Sequence, residues 1–126
     1  MGLDQYLKVN IKTKRHENGD VEGIFKNYYF RKNYYLDSYL MDIITENRDI
    51  YEDNVVNMYV NEDGLKSMYR GAIIDLNNDY LPDEYIDCPD WIKDDIQAVI
   101  DTYEDIQKLK KQYDADECDI LYWKWY

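Results

Sequence analysis

Histidine and cysteine, the residues that most often build metal and nucleophilic sites, are nearly missing from this chain. Its only histidine is His16, and its two cysteines are Cys88 and Cys118. Two cysteines are too few for the disulfide framework of a small secreted protein, and such a pair in a cytosolic protein is more often two free thiols. The sequence therefore predicts no disulfide, and no spacing of ligands indicates a zinc site.

Long apolar runs and phosphate-binding loops are missing as well. No segment approaches the roughly 20 apolar residues that span a bilayer, and the start of the chain lacks the basic and apolar stretches of a secretory signal. We therefore expect a cytoplasmic protein without a membrane span. The chain also has no Gly-rich phosphate loop, no nucleophile elbow and no histidine near either cysteine. These gaps predict a protein that is not an enzyme and needs no cofactor.

Acidic residues are what the chain has in excess, and they are unevenly placed. The 126 residues include 27 acids and 15 lysines and arginines, which gives a net charge of −12. Residues 75–119 carry 15 of the acids and only four lysines, whereas residues 1–32 have a net charge of +3. Such a field repels nucleic acid and anionic membranes and attracts basic protein surfaces. We expect a basic protein partner and no direct binding to nucleic acid or membranes.

The N-terminal part of the chain has the spacing of paired strands. Leu7, Val9 and Ile11 alternate with polar residues, and Asn18-Gly19 predicts a type I′ hairpin turn that leads into a second strand over residues 21–30. Residues 55–60 and 120–126 are also predicted strands. In the last of these, Trp123 and Trp125 are expected in the core.

Apolar residues recur at helical spacing in three later segments. The first contains Leu36 and Leu40, with Asp37 expected on the outer side. Asn61 is the predicted N-cap of the second helix, and Asp90 that of the third and longest. The length fits a single acidic domain over residues 1–126. The predicted fold class is α+β, with a small antiparallel sheet (N-terminal hairpin, middle strand, C-terminal strand) covered by about three helices.

One acidic segment begins like a calcium-binding EF-hand loop. Asp75, Asn77 and Asp79 occupy its positions 1, 3 and 5. Position 6 is Tyr80, where the loop needs glycine for its sharp bend, and position 12 is Ile86, where it needs a bidentate glutamate. No metal site is predicted.

The longest helix carries a row of carboxylates opposite its apolar stripe, here called the acidic ridge. Its members are Asp90, Asp94, Asp101, Glu104 and Asp105. Residues three or four apart lie about 5–6 Å apart on a helix surface, a spacing comparable with that of phosphates along a strand. The ridge can therefore imitate a nucleic-acid backbone. It also fits the ordinary solvent side of a helix in an acidic protein, and both interpretations stay open.

Aromatic residues are the second excess, with 15 tyrosines and three tryptophans. A core of this size does not need all of them, so some must be exposed. Tyr28, Tyr29, Tyr34 and Tyr35 cluster around Arg31 and Lys32. Tyrosine and arginine dominate the energetic centres of interfaces. The cluster is a candidate binding surface. Cross-strand aromatic pairs are the alternative explanation.

Several short motifs, taken in order, resemble a loose group of small phage-encoded proteins. They are the start Met1-Gly2-Leu3-Asp4-x-Tyr6-Leu7, Arg31-Lys32-Asn33 before the first helix, Tyr59-Val60-Asn61 before the second, and the long acidic helix followed by an aromatic tail. The resemblance implies an origin in a phage or mobile element. By analogy with other small acidic proteins from such sources, it also implies an inhibitor of host defence of the anti-CRISPR kind.

These observations predict an inhibitor that binds a basic, nucleic-acid-handling host protein in the cytoplasm of an infected bacterium. A CRISPR-associated nuclease is the leading candidate, blocked sterically and by DNA-like electrostatics. The candidate partner-binding residues are Asp90, Asp94, Asp101, Glu104, Asp105, Tyr28, Tyr29 and Tyr34. The alternative is a phage structural or assembly accessory protein that forms a homo-oligomer through its aromatic surface.

Overall fold

A computed structural model describes residues 3–15, 17–18, 21–44, 51–52 and 55–125. Within these ranges the chain forms one antiparallel sheet and three α-helices, which confirms the predicted α+β class.

The sheet is built from four long strands and a two-residue edge. The strands are β1 (Asp4–Arg15), β2 (Val21–Arg31), β3 (Tyr51–Glu52), β4 (Val55–Val60) and β5 (Glu117–Trp125). Their order is β2-β1-β5-β4-β3, and every neighbouring pair is antiparallel. The strand that comes last in the chain therefore lies in the middle of the sheet. Pairing of β1 with β2 confirms the predicted hairpin, while the type of its turn depends on Gly19, outside the described residues.

The three helices are α1 (Tyr34–Ile44), α2 (Glu62–Asn77) and α3 (Pro89–Gln112), and a single 3₁₀ turn covers Asp83–Tyr85. Each long helix turns an apolar stripe inward. Its buried members are Leu36 and Leu40 in α1, Leu65, Met68 and Ala72 in α2, and Ile92, Ile96, Val99, Ile100 and Ile106 in α3. They pack on Leu7, Val9 and Ile11 of β1, which form the predicted apolar side of that strand.

Buried and exposed residues alternate along the strands, which shows that the helices cover one side of the sheet. Cys118, Ile120, Tyr122 and Lys124 of β5 are buried, whereas the residues between them are exposed or partly exposed. The register pairs buried Tyr122 with buried Leu7. Among the described residues, no helix covers the opposite side of the sheet, which we call the open sheet face.

Helix N-termini confirm one predicted cap and correct another. The Asn61 side chain accepts a hydrogen bond from the Asp63 N–H at 2.7 Å, as predicted for the cap of α2. The prediction that Asp90 caps α3 is wrong, because Cys88 occupies the cap position and Pro89 is the first helical residue. Proline suits this position because its fixed φ is helical and its missing N–H has no helical partner there. Asp90 lies in the first turn.

Two predicted orientations are wrong for a shared reason. Trp125 is 52% exposed and Trp123 is only partly buried, because both lie on the open sheet face. The alternate residues Tyr122 and Lys124 point to the helices instead, and the Lys124 ammonium is paired with Asp37. Asp37 therefore faces the sheet rather than solvent, since a lysine in the core needs a carboxylate partner.

No helix within the described ranges is both long enough and apolar enough to cross a membrane.

Candidate protein-interaction surfaces

The acidic ridge lies on α3 because that helix is strongly amphipathic. Its inner side supplies five apolar residues to the core, and its outer side carries Asp90, Asp94 and Asp101, all exposed. Asp90 in the first turn and Lys110 and Lys111 in the last turn also complement the helix dipole.

Three of the five ridge carboxylates are available to a partner. Asp101 accepts a hydrogen bond from the Gln97 side chain at 2.9 Å and remains exposed. Within the described part of the chain, no lysine or arginine forms an ion pair with Asp90, Asp94 or Asp101. Their negative charge therefore faces solvent without local neutralisation.

Asp105 has an internal role, because it ties α3 to the edge strand β2. Its carboxylate accepts hydrogen bonds from the Lys26 ammonium at 2.8 Å and from the Tyr28 hydroxyl. The Lys26 and Tyr28 hydrogen bonds lower the pKa of Asp105, and burial together with the Asp105 contact raises the pKa of Tyr28. The structure thus separates Asp105 from the three open carboxylates of the ridge.

Glu104 is exposed, yet it is linked to α2. It accepts a hydrogen bond from the Tyr69 hydroxyl at 2.9 Å, and this contact raises the pKa of Tyr69. Tyr69 also stacks on Tyr103, with ring centroids 4.3 Å apart. Glu104 can meet a partner only at the border between the two helices.

The tyrosines expected to cluster around Arg31 do not form one surface. Tyr28 points towards the helices, while Tyr29 points to the open sheet face, where it stacks on Tyr6 at 5.1 Å. Neighbouring residues in a strand face opposite sides, so these two side chains cannot act together. Tyr34 lies in the first turn of α1 and contacts Tyr85 edge-on. Within the predicted cluster, Tyr29 and Tyr34 are exposed, Tyr28 is partly buried, and Tyr35 is only 6% exposed and belongs to the core.

The open sheet face is an aromatic surface that the sequence patterns did not reveal. Phe25 is 78% exposed, Tyr59 77%, Trp125 52% and Tyr29 51%. They come from β2, β4 and β5, and the register brings them to the same side. Alternation within each strand could have placed each residue on a face, but only the strand order assembles the surface.

A shallow groove of about 270 Å³ crosses this face. Phe25 on β2 and Tyr59 on β4 line its two sides. Its remaining lining residues are Lys8, Val9, Asn10, Asn27, Asp119 and Leu121. Lys8 also lies 5.4 Å from the centre of the Trp123 ring, where a cation is attracted by the ring electrons.

The Cys118 thiol is poorly suited to covalent chemistry. Cys118 is buried on the helix side of β5, and this burial, followed by the nearby Glu62, raises the pKa of its thiol to about 12. The thiolate is the reactive form, so a thiol with this pKa is a weak nucleophile at neutral pH. Glu62 is instead paired with Lys110, whose ammonium lies 2.8 Å from its carboxylate.

The segment that begins like an EF-hand has a different conformation in the structure. Asp75 and Asn77 belong to the last turn of α2, and Asp75 accepts a hydrogen bond from the Tyr35 hydroxyl at 2.6 Å. Asp79 lies 3.6 Å from the Lys93 ammonium. Among the described residues, no three histidine, cysteine, aspartate or glutamate side chains converge as metal ligands would.

Comparisons of the chain with protein-family models, with curated proteins and with solved structures gave no match.

Proposed function

We propose that this protein is a non-catalytic inhibitor from a phage or mobile element. It binds a basic, nucleic-acid-handling host defence protein in the cytoplasm of an infected bacterium, and a CRISPR-associated nuclease is the leading candidate. The observation that carries the proposal is the outer side of α3, where Asp90, Asp94 and Asp101 are exposed without a described cationic partner.

The rise of an α-helix sets how far these carboxylates reach. From Asp90 to Asp101 the helix axis advances about 16 Å, a length over which one DNA strand presents about five phosphates. Three carboxylates are a sparser row, so charge alone would not outcompete DNA. Inhibition therefore combines an acidic contact with steric occupation of the nucleic-acid site.

Contacts that fix α3 to the rest of the fold support this mechanism. Asp105 joins the helix to β2, and Glu62 on α2 accepts the Lys110 ammonium of α3 at 2.8 Å. A row of charges fixed in position loses little freedom on binding, whereas charges on a flexible tail would have to be ordered first. Charges at the rim of an interface act mainly on the association rate.

Affinity capture from bacterial lysates tests the proposal with two triple variants. The ridge variant is Asp90→Asn, Asp94→Asn and Asp101→Asn, and the control is Asp63→Asn, Asp114→Asn and Asp116→Asn, which changes the net charge equally at exposed sites elsewhere. Wild type and control should capture the same basic nucleic-acid protein, and the ridge variant should not.

The captured protein must also lose nucleic-acid binding when the purified inhibitor is added. Equal capture by the ridge variant, or a captured protein that binds DNA or RNA normally in the presence of excess inhibitor, would contradict the proposal.

A further inference from the structure

The open sheet face exposes an aromatic surface comparable with the largest apolar patches of typical monomeric domains, which are often functional. Its four most exposed aromatic residues have exposed fractions between 51% and 78%. Since an aromatic side chain can bury about 150–250 Å², these four alone expose roughly 500 Å². The partly exposed Tyr6, Leu121 and Trp123 extend the patch. The total approaches the roughly 800 Å² per partner of a standard stable interface.

Charge on this face differs from charge on the rest of the molecule. Its described ionisable side chains are Asp4, Lys8, Lys12, Arg31, Glu117 and Asp119, a net charge of zero within a chain of net charge −12. Lys12 and Asp119 are already paired at 3.3 Å. The acidic excess lies mainly in the helices and their connections, so this face is where a second copy meets the least repulsion.

The distance between the acidic helix layers of two copies also favours a dimer through this face. If two open sheet faces stack at the usual spacing of about 10 Å, the outer sides of the two helix layers lie on the order of 40 Å apart. This is several times the Debye length of about 8 Å at physiological salt. Repulsion between the two acidic surfaces is then largely screened.

The register makes the face self-complementary. Phe25 lies in the row of Asn10 and Asp119, and Tyr59 lies in the next row, with Leu121. Rows on one face of a sheet are about 7 Å apart. A two-fold axis parallel to the strands, between β1 and β5, brings β2 of one copy over β4 of the other. Phe25 of each copy then lies beside Tyr59 of the other copy, one row apart, across the groove.

The same two-fold axis also brings opposite charges together and keeps the strands of the two sheets aligned. It places Lys12 of one copy over the row of Glu117 in the other, because these residues are register partners on β1 and β5. The strands of the two sheets stay roughly aligned, as in β-sandwiches packed at about −30°.

We propose that the open sheet face binds a second copy of this chain, forming a two-fold dimer in which the two sheets pack face to face. The dimer does not depend on the inhibitor function, and it would present one acidic ridge on each outer side.

Analytical ultracentrifugation of the purified chain tests this dimer. Wild type should sediment as a dimer with a Kd in the micromolar range, as expected for an interface of about this size. The variant Phe25→Ser with Tyr59→Ser should weaken the dimer at least about 30-fold, because both rings lie at the proposed contact. Both residues are more than three-quarters exposed, so the variant should fold, which circular dichroism checks.

The matched control is Ile86→Ser with Trp91→Ser, which removes two residues that are 63% and 62% exposed outside this face. It should dimerise like wild type. A wild type that stays monomeric up to about 100 µM would overturn the proposal, since that excludes a micromolar Kd. An equal effect of the two double variants would overturn it as well.

Tryptophan fluorescence locates the interface independently. In a Trp91→Phe background, Trp123 and Trp125 report on the open sheet face. Their quenching by acrylamide should fall as the protein concentration rises through the dimer transition. A dimer that forms with unchanged quenching would lie elsewhere on the molecule and would contradict the proposal.

Discussion

The ammonium of Lys124, a residue only 2% exposed, lies 2.6 Å from the carboxylate of Asp37 and joins the central strand β5 to α1. The Tyr122 hydroxyl donates to the same carboxylate oxygen at 2.8 Å. On the other side of Tyr122, the buried Gln5 amide donates to that hydroxyl and to the Asn33 carbonyl, each at 2.9 Å. A polar network thus crosses the core where the last strand meets the first helix.

Breaking this buried pair should destabilise the fold. Asp37→Asn leaves the Lys124 ammonium without its carboxylate, and removal of one partner from a buried pair costs about 3–5 kcal/mol. Replacing both residues, Asp37→Leu with Lys124→Met, should recover most of that loss because no charge is left buried. Urea unfolding measures both effects.

An exposed pair provides the control. Asp79 lies 3.6 Å from Lys93 with both side chains largely in solvent. Asp79→Asn should change the free energy of unfolding by less than about 1 kcal/mol. If Asp37→Asn costs no more than Asp79→Asn, the network has no structural role.

Stability should fall in acid partly through Glu62. Burial disfavours its ionised form, but hydrogen bonds from Lys110 and Cys118 outweigh burial and lower its pKa below the ordinary value of 4.5. A lowered carboxyl pKa contributes stability above the ordinary value, and that contribution is lost as the pH falls through the folded-state pKa. Glu62→Gln should therefore flatten the decline in unfolding free energy below pH 4.5, measured by urea titration across pH.

A variant at Asp95 should respond in the opposite sense. Burial raises the pKa of this carboxyl although the Tyr85 hydroxyl donates to it. A raised carboxyl pKa costs stability once the group ionises, and this cost is relieved as the pH falls. Because Asp95→Asn removes that relief, the unfolding free energy of the variant should fall more steeply in acid than that of wild type. Parallel pH profiles for the Glu62 and Asp95 variants would contradict this assignment.

Calcium should not stabilise the protein. The Asp75 carboxylate accepts a hydrogen bond from Tyr35, and Asp79 lies beside Lys93, so both carboxylates already have partners. A cation bound weakly at its working concentration adds little by mass action. Thermal unfolding with about 1 mM calcium or with a chelator should give the same Tm, and a rise of about 5 °C or more would contradict this prediction.

Local patterns predicted much of the fold because they report local physics. The spacing of Leu7, Val9 and Ile11 indicated one buried side of a strand, and Asn61 offered the side-chain acceptor that a helix N-terminus needs. In the tail 120–126 the strand was predicted correctly, but its buried side was not, because aromatic residues occupy both of its faces. Which face is buried depends on Asp37, which neutralises Lys124 from a distant helix.

The candidate surfaces show the same limit. Helical spacing placed Asp90, Asp94 and Asp101 together, and the structure leaves all three exposed. Helical spacing could not show that Lys26 binds Asp105, because that contact joins residues 79 positions apart. The open sheet face depends on the strand order, in which Phe25 and Tyr59 belong to strands that are not neighbours.

Association kinetics with the captured host protein test the central claim most directly. Wild type and the Asp63, Asp114, Asp116 control should associate quickly at low salt and more slowly as salt rises. The Asp90, Asp94, Asp101 variant should associate about tenfold or more slowly and depend less on salt, since three charges that steer the encounter are gone. If the ridge variant matches the control in rate and salt dependence, the outer side of α3 is not the binding surface.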